Sequence, residues 1–182
     1  MTKDIVGKRY ARALIGSIDK KEDFDKVGEQ LREISLVFKE SKELQNFFFN
    51  PAIPINKKET ALVEILNLYQ LHPSLKNILF LLLKNDWLKI IYTIYTYFIL
   101  YCDQYNNRVR AEVTSAYELT DDERTGIVKK LGNYTGKDVV LNTKIDPEII
   151  GGVIARIGSL VIDGSVRNYL EMIKHSLTKD IQ

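Results

Sequence analysis

Hydrophobic positions in the first hundred residues recur every three or four places, the period of a helix face. In "DIVGKRYARALIGSI", Val6, Tyr10, Ala13, Leu14 and Ser17 fall on one face, with Lys8, Arg12 and Asp19 elsewhere. After the polar "DKKED" break, Phe24, Val27, Leu31, Ile34 and Phe38 predict a second amphipathic helix. Ser41 offers an N-cap for a short third segment, "KELQNFFF". "NPAIP" stops it, because proline removes an amide donor and biases its predecessor away from the helical region. Asn56 is placed to cap a fourth helix carrying Leu62, Ile65, Leu66 and Tyr69. Pro73 suits the first turn of a fifth, with Leu75, Leu79, Leu82 and Leu83 as its stripe. A sixth, from Trp87 to Tyr105, follows Leu88, Ile91, Tyr95, Phe98 and Cys102. Short turns between such helices predict a bundle.

The rhythm shortens to two at "YNNRVRAEVTSAYELT", where Val109, Ala111, Val113 and Ser115 alternate with Arg108, Arg110, Glu112 and Thr114. That shift predicts two domains, a helical one over 1–107 and an α+β one over 108–182. Thr120 and Glu123 have capping-box spacing and open a helix that "YTGK" ends. "KDVVLNTKID" reads as a second strand, interrupted by Pro147. Strands at Gly152 to Ile157 and Leu160 to Asp163 flank a Gly158-Ser159 turn suited to type II′. Ser165 then caps a last helix with Val166, Leu170, Ile173 and Leu177 on its apolar face. The fold class expected is α+β: an N-terminal six-helix bundle, then a small α/β domain with a β-hairpin and a terminal helix.

Composition narrows the choice of function. With 45% hydrophobic and 27% charged residues, the 182-residue chain is neither disordered nor fibrous. The first 107 residues carry 15 Lys+Arg against 13 Asp+Glu and the remainder 11 against 11, so neither half is a broad basic footprint for nucleic acid. A single cysteine, Cys102, excludes an internal disulfide and fits a reducing compartment. With His72 and His175 it leaves few ligands for a zinc site. The longest uncharged apolar run, Ile90 to Cys102, has 13 residues, against roughly 20 needed to span a bilayer. Charge begins at once in "MTKDIVGKRYARAL", so no signal peptide is expected.

Candidate chemistry is sparse. "GGVIARIG" lacks the Gly-Lys-Ser/Thr ending of a phosphate loop, and hairpin glycines account for it better. His72 reads as a turn residue, and His175, four after Glu171, as a surface pairing. Tyr97, Tyr101 and Tyr105 form one stripe, suited to a core edge or to a protein interface. No catalytic residues, metal ligands or cofactor are expected, which leaves a binding or scaffolding protein. An RNA-binding module stays open on Arg108, Arg110 and Arg156, although Tyr117 is the one aromatic near these strands that could stack a base.

Several segments resemble a known family over nearly the whole chain. They are "GKRYARAL", "NPAIPINKK", "FLLLKNDWLKIIYTIYTYF", "AEVTSAYELT" and, most specifically, "IDPEIIGGVIARIGSLVIDGSVRNYL". Together they are similar to the delta subunit of the F-type ATP synthase, the bacterial counterpart of the mitochondrial oligomycin-sensitivity-conferring protein. Trp87 departs from the pattern, standing where the family commonly has arginine. The resemblance implies a non-catalytic stator subunit of a proton-translocating ATP synthase, peripheral on the cytoplasmic face of the bacterial plasma membrane. Its helical domain would hold the N-terminal ends of alpha subunits and its C-terminal domain would join the b subunits of the peripheral stalk, with no nucleic acid and no insertion into the membrane. Tyr10, Ala13, Leu14, Leu79 and Leu83 are then expected to line an apolar groove between the first and fifth helices. Gly152, Asp163, Gly164, Ser165 and Arg167 are expected at the b-stalk end. There Gly164 would take a positive φ, Ser165 would cap, Asp163 would favour the helix start, and Arg167 would reach a partner.

Overall fold

The computed structural model describes residues 2–179, with side chains through Lys174. Two compact units divide the chain, Met1–Asn106 and Asn107–Gln182. The first holds α1 (Lys3–Gly16), α2 (Asp23–Glu40), α3 (Lys42–Phe48), α4 (Ile55–Asn67), α5 (Pro73–Lys84), a 3-10 turn at Leu88–Ile90, and α6 (Ile91–Tyr105). The second holds β1 (Arg108–Ser115), α7 (Asp121–Thr135), β2 (Asp138–Ile145), β3 (Gly152–Ile157), β4 (Leu160–Ser165) and α8 (Val166–Lys179). The architecture is α+β, with eight α-helices and one four-stranded sheet among the described residues.

Helix starts follow local chemistry. Ser41 Oγ accepts from the Leu44 amide at 3.2 Å and opens α3. At α5 the cap is His72, whose Nδ1 accepts from the Ser74 amide at 3.2 Å while Pro73 fills a position that needs no donor. Asn56 does not cap the fourth helix. Pro54, fixed at φ −59° with extended ψ, already starts α4 at Ile55, and Asn56 Oδ1 accepts instead from the adjacent Lys57 amide. The sixth helix also starts later than its pattern predicts. Asp86 adopts φ 57° and the Trp87 amide reaches back to the Leu82 carbonyl at 2.8 Å, so α5 closes in a left-handed turn before α6 begins.

Packing in the first unit centres on α6, which runs against α1 and α2. Small residues set the approach. A β-carbon on Gly7 would lie 3.0 Å from Thr93 Cγ2 and 3.4 Å from the Tyr97 ring, and one on Gly28 would lie 3.0 Å from Ile99 Cδ1. The buried side of α1 is therefore Val6, Gly7, Tyr10, Ala11, Leu14 and Ile15, rotated from the expected face. Ala13 and Ser17, which the period puts on one face with Val6, Tyr10 and Leu14, are exposed while Gly7 and Ala11 join the buried side that meets α6. Helix period alone does not say which edge of a broad apolar stripe meets the partner.

In the second unit β1 is central, parallel to β2 and antiparallel to β3, in the order β2-β1-β3-β4. Ala111, Val113 and Ala155 are buried on one face with Leu119 and Leu131. Connecting β1 to a parallel neighbour requires a crossover, and α7 supplies it. Thr120 and Glu123 form the reciprocal capping box at its start, and Gly136 at φ 67° ends it. In the β3–β4 turn Gly158 alone has positive φ, 59°, the signature of the expected type II′ turn.

Replacing Gly7 by valine should destabilise the first unit by about 1–3 kcal/mol through overpacking against Thr93 and Tyr97. Thermal unfolding of the full chain would check this, and an unchanged melt would show that α6 can move aside.

Candidate docking surfaces

Four of the five residues expected to line the groove are core in the structure. Tyr10, Leu14, Leu79 and Leu83 are buried in the first unit, because the same i, i+4 stripes that mark a groove also pack helices together. Ala13 alone among the five faces solvent. It lies on an exposed edge of α1 with Ile5 and Arg9, at steps of four, and α5, which packs on α1, presents Leu81. Ile5 is 57% exposed and Leu81 48%, so apolar surface does remain on this pair of helices, carried by residues that the pattern did not single out.

The turn from β4 into α8 is built around two glycines that cross closely. Positive φ falls on Gly152, at 81°, and not on Gly164. Gly164 belongs to β4, which extends to Ser165 and so runs past the expected end at Asp163. It pairs with Val153, where an added β-carbon would sit 3.2 Å from the Val153 carbonyl oxygen. A β-carbon on Gly152 would overlap the Gly164 carbonyl and lie 3.0 Å from Ser165 Cα. Both glycines thus serve strand approach, and Gly152 also serves conformation.

Ser165 caps α8 as expected, its Oγ accepting from the Asn168 amide at 3.2 Å. Asp163 Oδ1 accepts from the Ser165 amide at 2.9 Å, and Asn168 Nδ2 donates to the Asp163 carbonyl at 2.9 Å. Asn168, not singled out from the sequence, closes this ring of contacts. The hydroxyl and then the amide of Ser165 hold the Asp163 carboxyl below its ordinary range. Arg167 is exposed in the first turn of α8, with no carboxylate within 4.0 Å among the described residues.

Beyond that turn α8 presents apolar side chains to solvent. Tyr169 is 66% exposed, Leu170 56% and Met172 62%, and Val166 and Ile173 are exposed to a lesser degree, 41% and 39%. The expected packing face of the last helix, Val166, Leu170 and Ile173, is therefore an outward one. His175 and Leu177 lie outside the described side chains. Scattered exposed apolar residues are ordinary, but several on one short helix mark an interaction surface.

Elsewhere polar contacts are structural. Glu123 accepts from the Thr120 amide and hydroxyl, each at 2.9 Å, and from the Tyr117 hydroxyl at 3.2 Å. Those bonds lower the Glu123 pKa, first through the Thr120 amide, and the same bond to Glu123 raises that of Tyr117. Tyr117 is thus tied to the α7 cap. No group of three or more His, Cys, Asp or Glu side chains with metal-binding geometry occurs among the described residues. No helix among them is long and apolar enough to cross a membrane.

A helical unit and an α+β unit, each showing apolar helix surface beside charge, define a protein-docking subunit. The family model of the ATP synthase delta (OSCP) subunit matches residues 6–177. The ATP synthase subunit delta of Citrifermentans bemidjiense is 32% identical over 179 residues, covering 98% of this chain and 99% of that protein. That of Nostoc punctiforme is 34% identical over 174 residues, covering 95% and 94%. A chain of the Toxoplasma gondii mitochondrial ATP synthase hexamer shares the fold with a TM-score of 0.62 at 23% identity, over 94% of this chain and 97% of that one. The chain belongs to the ATP synthase delta (OSCP) subunit family. It is a non-catalytic stator subunit, a peripheral component of the complex that links the catalytic head to the peripheral stalk. The RNA-binding alternative finds no support.

The lowered pKa of Asp163 has a sign that can be tested. Its contribution to stability is present above the unfolded carboxylate pKa and is lost as pH falls through the lower folded value. Asp163 is almost fully solvated, so the effect should be small. Asp163→Asn should flatten the acid limb of urea midpoint against pH between about pH 5 and about pH 2. An acid limb as steep as wild type would assign it to other carboxylates.

Proposed function

We propose that the first unit, acting as a six-helix bundle, holds the N-terminal helix of an alpha subunit, and that the second docks on the b subunits of the peripheral stalk. On this reading the complex sits at the cytoplasmic face of a bacterial plasma membrane, with the boundary between the two roles at residues 107 and 108. The observation that carries the proposal is the outward apolar side of α8, which follows a turn fixed by Gly152, Asp163, Ser165 and Asn168. Such a helix offers Tyr169, Leu170 and Met172 to a partner without first unfolding anything.

The alpha site is assigned to the exposed edge of α1, where Ala13 lies between the larger Ile5, Arg9 and Arg12. A methyl group there leaves room for a second helix backbone to come close, as helix-in-groove docking requires. Tyr10, Leu14, Leu79 and Leu83 support this edge from beneath as core. The stator role itself needs no reactive group. A connector must resist the torque of the rotor, so shape and contact area decide its performance.

Ala13→Asp should weaken binding of a synthetic peptide of the alpha N-terminus at least about tenfold while leaving the thermal melt near wild type. Unchanged affinity would move the alpha site elsewhere. For the stalk end, Leu170→Glu changes an exposed side chain and should leave the fold intact. Membranes carrying it, washed at low salt, should release ATPase activity into the supernatant, whereas activity retained in the pellet would remove α8 from the stalk interface.

A further inference from the structure

Of the eight helices among the described residues, α1 carries the largest net positive charge. Within Lys3–Gly16 four basic residues stand against one acidic residue, a net charge of +3, while the whole chain carries +2. Three of these cations surround a shallow surface depression lined by Ile5, Lys8, Arg9, Arg12, Ala13 and Tyr101. No carboxylate lies within 4.0 Å of Lys8, Arg9 or Arg12 among the described residues. Aromatic rings hold them instead. Lys8 Nζ sits 5.2 Å above the Tyr97 ring and Arg12 Cζ 5.4 Å above that of Tyr101, both on α6, while Arg9 Cζ lies 6.0 Å from Tyr10.

A cation over an aromatic face is positioned without being neutralised. Long basic side chains that would otherwise lose rotamer freedom on binding are already partly ordered. Between them, Ile5, Ala13 and the Tyr101 ring give an apolar floor. We infer that this basic, aromatic-backed rim of α1 and α6 selects an acidic amphipathic helix, its apolar side on Ile5 and Ala13 and its carboxylates against Lys8, Arg9 and Arg12. Charge complementarity of this kind sets partner choice, register and association rate. An extended nucleic acid fits less well, because the positive charge does not continue over the rest of the chain, whose remaining residues sum to about −1.

This inference rests on the reading of α1 as the helix that docks the head, and it adds the chemistry of the docked segment. The test uses the full-length chain and a synthetic amphipathic peptide of about twenty residues, about 30 Å as a helix. One version carries glutamates flanking its leucine stripe and the other has glutamine at the same places. The glutamate peptide should bind roughly tenfold more tightly at low salt, and the difference should collapse both at high salt and in the Lys8→Gln, Arg12→Gln double variant. Equal affinity for the two peptides, or a preference that survives the double variant, would overturn the inference. So would tighter binding of a short RNA or of phosphatidylglycerol vesicles that displaces the acidic peptide. The alpha peptide is measured in parallel. If it binds wild type and double variant equally, the charge inference falls and the docking reading stands; if it fails on wild type while the glutamate peptide still prefers the basic rim, the docking reading falls alone.

Discussion

Close approach of α6 to α1 and α2 is the constraint on which the first unit depends. Gly7 and Gly28 leave no side chain where Thr93, Tyr97, Phe98 and Ile99 arrive, so α6 can lie against both helices. Interiors packed to crystal density tolerate little intrusion at such points. Once α1 turns its Gly7 and Ala11 side to α6, the remaining exposed edge is decided: Ile5, Arg9 and Ala13 must face outward. The same rotation carries Lys8 and Arg12 over Tyr97 and Tyr101. Core packing and the placement of these surface cations are thus two sides of one helix orientation.

The second unit solves a different problem with the same economy of means. Its central strand β1 is paired on both sides, and the antiparallel β3–β4 hairpin extends the sheet to the point where α8 begins. Gly152 and Gly164 let the strands meet, after which Ser165, Asp163 and Asn168 fix the first turn of the helix. Rigidity at that turn matters for a stator. A partner held through α8 can transmit load to the sheet only if the helix start is itself held.

Charged groups follow the same division between structure and contact. Glu123 and Asp163 spend their hydrogen bonds on helix starts, which lowers both pKa values and ties them to the fold. Lys8, Arg9, Arg12 and Arg167 make no such commitment to a carboxylate among the described residues. Groups satisfied internally stabilise the subunit, and those left without a counter-charge are available to another chain.

Sequence alone determined the element order, because changes of period, caps and turn glycines act over a few residues. The Thr120–Glu123 box, the Ser41 and Ser165 caps and the Gly158 turn were all legible for that reason. The fixed residues of the last segment likewise carried the family resemblance without any contact being known. Tertiary structure decided which apolar residues are core and which are surface. Tyr10, Leu14, Leu79 and Leu83 share a period with a docking groove yet are buried, while Val166, Leu170 and Ile173 share a period with a packing face yet look outward. It also placed the positive φ at Gly152, which meets Ser165, thirteen residues on, rather than a neighbour in sequence, and not at Gly164. A helical stripe states only that one side is apolar. What covers that side is fixed by the other helices, which the local pattern does not contain.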